Sequence, residues 1–282
     1  VAQVEQWRLV PWWVGPAGEA LAAGEYLLEQ ASRTAAVQLY GFAPEALVLG
    51  PRQRDAGAVD WPACQARRIG VYLRRSGGSA VLGDRYLLNM DVALPSGHPL
   101  ALADLTRSYA WLGNALATAL GGLGVPATAL TPAAVRAAAA GVRAVAGSFG
   151  AARAACFGGL SPYEVVAGER KVVGLSQVRR RQGALLQVGI PLRWDAAGLA
   201  ALLAGSPLWK ATLAAELADS AAGLGDWGLA VTDAQAVLGA LLDAVAHAAG
   251  VRFDERPFEP DERAAISSLA ARDYPRLDRP LP

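Results

Sequence analysis

Apolar residues recur at helical spacing between Ala17 and Ala36, at Leu21, Tyr26, Leu27, Leu28 and Ala31, with no proline after Pro16. This pattern predicts an amphipathic helix lying on a sheet. Ala36 to Tyr40 and Ala46 to Gly50 then read as two short strands joined across Pro44, which is the pattern of a hairpin. Asp60 is placed to cap a short helix with Trp61 and Pro62 in its first turn, running to Arg68 and stopped by Gly70. Ile69 to Leu73, Ala80 to Leu82 and Tyr86 to Leu94 read as strands, the last two around a Gly83-Asp84 turn. Ala103 to Leu123 has a helical pattern ended by Gly121-Gly122. Thr131 to Ala146 is open between a helix, favoured by its alanines, and a loop with a short strand, allowed by Gly141 and Gly147. Tyr163 to Val166, Arg170 to Val178 and Gly183 to Pro191 form the pattern of a meander, and Leu199 to Leu203 and Asp233 to Gly250 read as helices. Strands gathered in the middle with helices before and after define an α+β class, a mixed or antiparallel central sheet flanked by helices.

Composition narrows the function. A hydrophobic content of 53% in 282 residues is ample for a core, and a formal net charge of +1 gives no global field for nucleic acid or a membrane surface. Electrostatic recognition therefore falls to local clusters such as Arg179-Arg180-Arg181. Cys64 and Cys156 stand far apart, without a CxxC pattern, which argues against a disulfide scaffold and a zinc site. No basic leader and no long apolar run is seen, so a soluble protein of a reducing cytoplasm is expected. Arginine has displaced lysine almost throughout; only Lys171 and Lys210 remain, and each is informative for that reason.

The chemistry concentrates in few places. Gly77 and Gly78 permit positive φ and a close backbone approach to a ligand, and Arg74 and Arg75 before them can neutralise a carboxylate or phosphate; a tight hairpin with solvated arginines is the plainer alternative. Lys171 on a strand, with Gly174 close behind, can set a cation beside an acyl carbonyl, although a lone lysine is more often simply a surface residue. Cys156 heads the short list of nucleophiles. An unassisted thiol is only slightly ionised at neutral pH, and a cation such as Lys171 nearby raises the thiolate fraction. Cys64, inside the short helix, reads as a small buried hydrophobe. His98 lies in a proline-rich turn and His247 on a helix, so neither is a good general base. Asp84 and Asn89 are spaced too loosely to define a metal or phosphate site, and no metal is expected.

Four segments, Leu49 to Gln53, Leu73 to Val81, Leu87 to Val92 and Gly168 to Gln177, resemble in order and spacing the lipoate-protein ligase and octanoyltransferase family, which shares its catalytic domain with biotin-protein ligases. The resemblance covers roughly residues 18–249. It implies a catalytic domain over 1–250, followed by a polar, partly ordered tail over 251–282. It implies substrate contacts at Arg74, Arg75, Ser76, Gly77, Gly78, Asn89, Gly174 and Gln177, and catalytic roles for Cys156 and Lys171. In one bacterial branch of octanoyltransferases and amidotransferases, a cysteine shortly before the Lys-x-x-Gly strand takes the acyl group as a thioester, and Ala155-Cys156-Phe157 matches that placement. The implied reaction moves an octanoyl or lipoyl group from an acyl carrier protein or a lipoylated donor domain to the lysine of a lipoyl carrier domain. Acceptors of this kind are the glycine cleavage H protein and the E2 component of 2-oxoacid dehydrogenases. That reaction needs no cofactor. An ATP- and Mg-dependent ligation through a lipoyl-adenylate is the alternative, and a non-catalytic module binding the acyl chain or carrier is a third reading. The chain departs from the family in two places. Where members often read Gly-Gly-Gly-Ala-Val-x-His it has Gly78-Ser79-Ala80-Val81-Leu82-Gly83, and where they read Gln-His-Gly it has Gln187-Val188-Gly189.

Overall fold

A computed structural model describes residues 4–31, 34–54, 56–144 and 151–277. Its strands are β1 (Glu5–Gly15), β2 (Ala36–Phe42), β3 (Ala46–Leu49), β4 (Gly70–Leu73), β5 (Val81–Gly83), β6 (Leu87–Pro95), β7 (Ala127–Ala129), β8 (Val165–Ala167), β9 (Arg170–Arg180), β10 (Gly183–Pro191) and β11 (Val251–Glu255). Its helices are α1 (Ala17–Gln30), α2 (Trp61–Ala66), α3 (Ala110–Gly122), α4 (Pro132–Ala144), α5 (Ala196–Leu202), α6 (Pro207–Ser220), α7 (Ala234–Ala249) and α8 (Pro260–Asp273). Eight strands form one mixed sheet in the order β11-β1-β2-β6-β10-β9-β8-β7, and β4-β3-β5 form a second, smaller sheet. The α+β class read from the sequence is the one observed. No described helix is long and apolar enough to cross a membrane.

The alternation along β6 explains the layering. Leu88, Met90, Val92 and Leu94 point to one face and pack against Leu112, Leu116 and Leu120 of α3 and Val237, Leu241 and Val245 of α7. Leu87 and Ala93 point to the other face, where α1 and α8 bring Leu21, Leu28, Ile266 and Leu269. A third cluster fills the space between the small sheet and helices α5 and α6, around Leu47, Leu49, Val71, Leu199 and Leu213. Cys64 belongs to this third cluster, and burial pushes its thiol pKa up, as suits a structural cysteine.

Several expectations are corrected. The segments 36–40 and 46–50 are strands but not a hairpin: β2 pairs with β1 and β6, whereas β3 leaves the large sheet and pairs with β4 and β5. For the same reason β5 and β6 do not pair across Gly83-Asp84. The helix α2 ends through Arg68 at φ 58°, and Gly70 opens the next strand. The helix expected from Ala103 begins only at Ala110, because the Asp104 carboxylate accepts from the Thr106 and Arg107 amides and turns the chain first. Residues 132–144 are helical, with Thr131 Oγ1 accepting from the Ala134 amide; Gly147 lies outside the described residues.

The sequence pattern passed over α6, although Ser206-Pro207 is a cap followed by an N1 proline, and the Trp209 amide does donate to Ser206 Oγ. It also passed over β1, whose Pro11 sits where the register against β2 shifts and no ladder N–H is needed. Within the segment 251–282, expected as a partly ordered tail, the described residues include the strand β11 and the helix α8. β11 runs parallel to β1, α8 lies on α1, and Arg8 meets both carboxylate oxygens of Glu262 at 2.6 Å.

Candidate active site

The loop leaving β4 divides its two arginines. Arg74 and Arg75 are consecutive, so an extended chain sends their side chains to opposite sides. Arg74 lines an inner pocket, and its Nη2 donates to Ser79 O at 2.8 Å. Arg75 turns away from that pocket and is committed to Glu25 Oε1 at 3.2 Å and Asp273 Oδ2 at 3.2 Å, with its guanidinium over the Tyr274 ring. The expectation that both arginines face a substrate anion is therefore corrected for Arg75. Glu25, nearly inaccessible on α1, gathers Arg75, Arg180 (3.1 Å) and the Tyr274 hydroxyl (2.9 Å). It ties the loop, the end of β9 and the end of α8 together. The basic cluster at 179–181 is partly spent in the same way, since Arg179 donates to Gln177 Oε1, Ala101 O and Ser108 Oγ.

Gly78 adopts φ +99°, a backbone conformation that favours glycine, and a Cβ there would meet both Arg74 Nη2 and Cys156 Sγ. Gly50 packs beneath it so closely that a Cβ would collide with Gly78 O. The cysteine segment is held alongside: the Ala80 amide donates to Ala154 O at 3.2 Å and the Cys156 amide to Ala80 O at 2.8 Å. Cys156 is half-buried.

Lys171 reaches the same segment from β9. Its Nζ donates to Cys156 O (3.0 Å) and Gly159 O (3.1 Å) and pairs with Glu164 at 2.6 Å, with both side chains inaccessible to solvent. The structure thus brings Lys171 and Cys156 together through the cysteine's carbonyl oxygen. Glu164 also accepts from the Leu175 and Ser161 amides at 3.2 and 2.7 Å, so no carboxylate oxygen is idle. Sequence reasoning missed Glu164. Its signal is an acid placed directly before the apolar run Val165-Val166-Ala167, a position that demands a partner.

Two rungs of the large sheet face α1 above this loop. One joins Gln38, Asp91, Gln187 and Ser176 across β2, β6, β10 and β9; the next joins Tyr40, Asn89, Gly189 and Gly174. Asn89 spends its amide on Tyr40 O and Leu87 O, while Ser176 Oγ meets the buried Ser76 Oγ at 3.2 Å. The second rung, with two glycines side by side, leaves room that the inner pocket occupies. That pocket encloses about 530 Å³, including the part open to solvent, and its wall is mostly apolar, with Leu21, Phe42, Val81 and Phe157 prominent. A second, wider depression of about 1000 Å³ lies outside it, lined by Gly77, Gly78, Leu160, Lys171 and Gln177. Cys156, Leu175 and Ser176 belong to both walls. The thiol stands on the wall that the narrow apolar pocket shares with the wider depression. Neither histidine lines either pocket: His98 packs edge-on to Trp7, and His247 is exposed on α7.

Asp91, within the segment Leu87 to Val92, is fully buried, and the sequence alone assigns it no role. It accepts from Gln38 (2.9 Å), Gln187 (3.2 Å) and Tyr40 (3.4 Å), and α1 crosses it at Gly24, where a Cβ would collide with the carboxylate. Burial outweighs those three hydrogen bonds and pushes its pKa up to about 7. The unfolded chain releases this proton near an ordinary aspartate value, so between about pH 4 and pH 7 the folded state holds a proton that the unfolded state does not. The stability this group contributes therefore falls as pH rises through that window. Compared with Asp91→Asn, the wild-type protein is expected to lose about 2.5 kcal/mol between pH 5 and pH 8 in urea unfolding. A difference between the two proteins that does not change with pH would count against a protonated Asp91.

Arg75 is committed as described, Asp84 accepts from the Tyr86 and Leu87 amides and pairs with Arg193, and Asn89 serves the sheet. Among the described residues no group of three or more His, Cys, Asp or Glu side chains is arranged to hold a metal ion.

A mixed sheet whose central rungs floor an apolar channel, with a glycine-arginine loop and a lysine strand at its mouth, matches a known domain. Residues 16–245 match the lipoyl protein ligase A/B catalytic domain, and the chain belongs to that family. Octanoyltransferase LipM of Kyrpidia tusciae is 32% identical over 274 residues, spanning 95% of this chain and 96% of that protein. The protein of the same name from Moorella thermoacetica is 31% identical over 192 residues, covering 66% of this chain and 64% of its own. Among solved structures, the bi-partite lipoate protein ligase of Thermoplasma acidophilum, described together with its E2 lipoyl domain, shares the fold with a TM-score of 0.74 at 18% identity, over 95% of this chain and 93% of that one. A lipoate-protein ligase A bound with ATP gives 0.71 at 18% identity, covering 95% of both chains.

Proposed function

We propose that the protein is an octanoyltransferase of protein lipoylation that carries the acyl group on Cys156. The observation that carries this reading is the position of the thiol on the wall common to the inner channel and the outer mouth. An acyl chain in the channel puts its carbonyl at the sulfur, while the mouth leaves space for the donor's arm and, afterwards, for the acceptor's lysine. The Cys156 thiolate attacks the donor thioester carbon, an S–C bond forms, and collapse of the tetrahedral adduct expels the donor's sulfur as a thiolate. The acceptor amine then attacks the acyl-enzyme, an amide forms, the amine's proton passes to solvent, and the cysteine thiolate is restored. Lys171 acts by fixing the Cys156 carbonyl, and Ser76, Gly77, Gly78, Asn89, Gly174 and Gln177 shape the channel and its mouth. The relatives named octanoyltransferase LipM support octanoyl as the group transferred, and the T. acidophilum ligase described with an E2 lipoyl domain supports a lipoyl domain as acceptor. The donor is an acyl carrier protein or a lipoylated domain.

Incubation with octanoyl carrier protein in the absence of ATP is expected to give an octanoyl adduct in the intact mass, mapping to Cys156 on digestion. An adduct that forms only with ATP, with release of pyrophosphate, would overturn the reading in favour of ligation.

The channel floor supplies a further prediction. A methyl group on Gly189 would touch Leu87, Asn89 and Phe157 at ordinary van der Waals distances of 3.8 to 4.0 Å. Gly189→Ala is therefore expected to fold normally but take space from the acyl chain, lowering the rate with octanoyl donor about tenfold relative to hexanoyl donor. An unchanged ratio in a competition between the two donors would show that the chain does not lie over Gly189.

A further inference from the structure

Lys171 is saturated by two carbonyls and a carboxylate, so a different cation must be sought at the reacting atoms. Arg74 answers to that description. A Cβ on Gly78 would stand 3.1 Å from Cys156 Sγ and closer still to Arg74 Nη2, so thiol and guanidinium both border the bare glycine and are separated by no more than twice that distance. The guanidinium makes a hydrogen bond to Ser79 O, yet its Nε is buried without a partner among the described residues. A buried N–H donor with nothing to donate to calls for an explanation, and on a side chain that lines the pocket it is available to an acceptor that arrives with a ligand. Arg74 lines the channel whose other walls are mostly apolar, and an acyl thioester seated there brings one strong acceptor, its carbonyl oxygen.

We propose that the Arg74 guanidinium is the electrostatic catalyst of acyl transfer, donating to the thioester oxygen as it becomes an oxyanion. The proposal rests on the reading of Cys156 as the nucleophile. It requires no proton to leave arginine: the charge stays fixed, the oxygen's negative charge builds against it, and it is released when the oxyanion collapses and the donor's sulfur departs. The absence of a side chain at position 78 is then part of the chemistry, because any Cβ would crowd both the sulfur and the guanidinium.

Single-turnover acylation of Cys156 by octanoyl carrier protein, followed by intact mass, tests this in Arg74→Gln and Arg74→Lys, with retention of the folded state checked by thermal unfolding. Arg74→Gln is expected to slow acylation at saturating donor by about 10²–10³-fold, with the half-saturating donor concentration changed by less than about threefold. Arg74→Lys keeps charge but not the planar fork, and is expected to be about tenfold slower than wild type. Should Arg74→Gln fail to fold, Arg74→Lys decides alone. Acylation by a folded variant within about threefold of the wild-type rate at saturating donor, or a loss expressed only in half-saturation, would overturn the assignment. Cys156→Ala separates the two claims. Transfer persisting in it sinks the covalent relay itself, whereas an inert Cys156→Ala beside fully active Arg74 variants sinks only the role of the arginine.

Discussion

Cys156→Ala protein mixed with octanoyl carrier protein is expected to gain no mass and to transfer nothing to a lipoyl domain, a fall of at least about a thousandfold against wild type. The expectation follows from the position of the sulfur, since no other thiol reaches the channel. Cys64 is buried in the third core cluster and serves as an internal control that should stay unmodified in both proteins. The fold should tolerate the change. Cys156 is half-buried and its segment is held by backbone hydrogen bonds to Ala80 and by the lysine on its carbonyl, none of which involves the sulfur. Unfolding midpoints of the two proteins should therefore agree closely, so that lost transfer reports chemistry. Cys156→Ser should be nearly as inactive, because a hydroxyl with no histidine nearby has no base to activate it. Measurable transfer by folded Cys156→Ala would show that the acyl group never rests on this residue.

Glu164→Ala is expected to destabilise the protein by about 3–5 kcal/mol, read as a lowered urea midpoint with an unchanged slope. The substitution leaves the Lys171 ammonium enclosed with two carbonyls and no counter-charge, and it strips acceptors from the amides of Leu175 and Ser161. Acyl transfer should fall with it, because Leu175 lines both pockets and the lysine that fixes Cys156 loses its own support. The pair is more informative than either member. Glu164→Leu combined with Lys171→Met should recover much of the stability, as apolar replacement of enclosed ion pairs often does, while transfer stays low. A loss below about 1 kcal/mol in Glu164→Ala would mean that water already reaches the ammonium.

Legibility in the sequence followed range. Where structure depends on residues a turn or a strand apart, periodicity found it: α1, α7 and the β8–β9–β10 meander stand where the pattern put them. Strand partnership depends on the whole chain. Nothing local distinguishes two strands that pair with each other from β2 and β3, which pair with different sheets. The terminal elements were hidden for a related reason, because β11 becomes a strand only by lying beside β1, and α8 buries just Ile266, Leu269 and Ala270. At the site, Cys156, Arg74 and Gly78 were legible as types and are found together. The direction of Arg75 was not, since its acid partners lie on α1 and at the end of α8. Nor could the sequence reveal that the amine of Lys171 holds a carbonyl instead of standing free, because Glu164 and the Gly159 oxygen take their places only in the folded chain.

Glu25 holds the arginine loop to Tyr274, some 250 positions further along the chain. Engineers who shorten the polypeptide at the close of α7, to obtain a minimal catalyst or better crystals, would cut one of the moorings of the very loop that shapes the reaction chamber. They would also bare the flank of α1 where Phe258 and Ile266 now sit. The last helix belongs to the workings of the enzyme as much as the short turn that carries its sulfur.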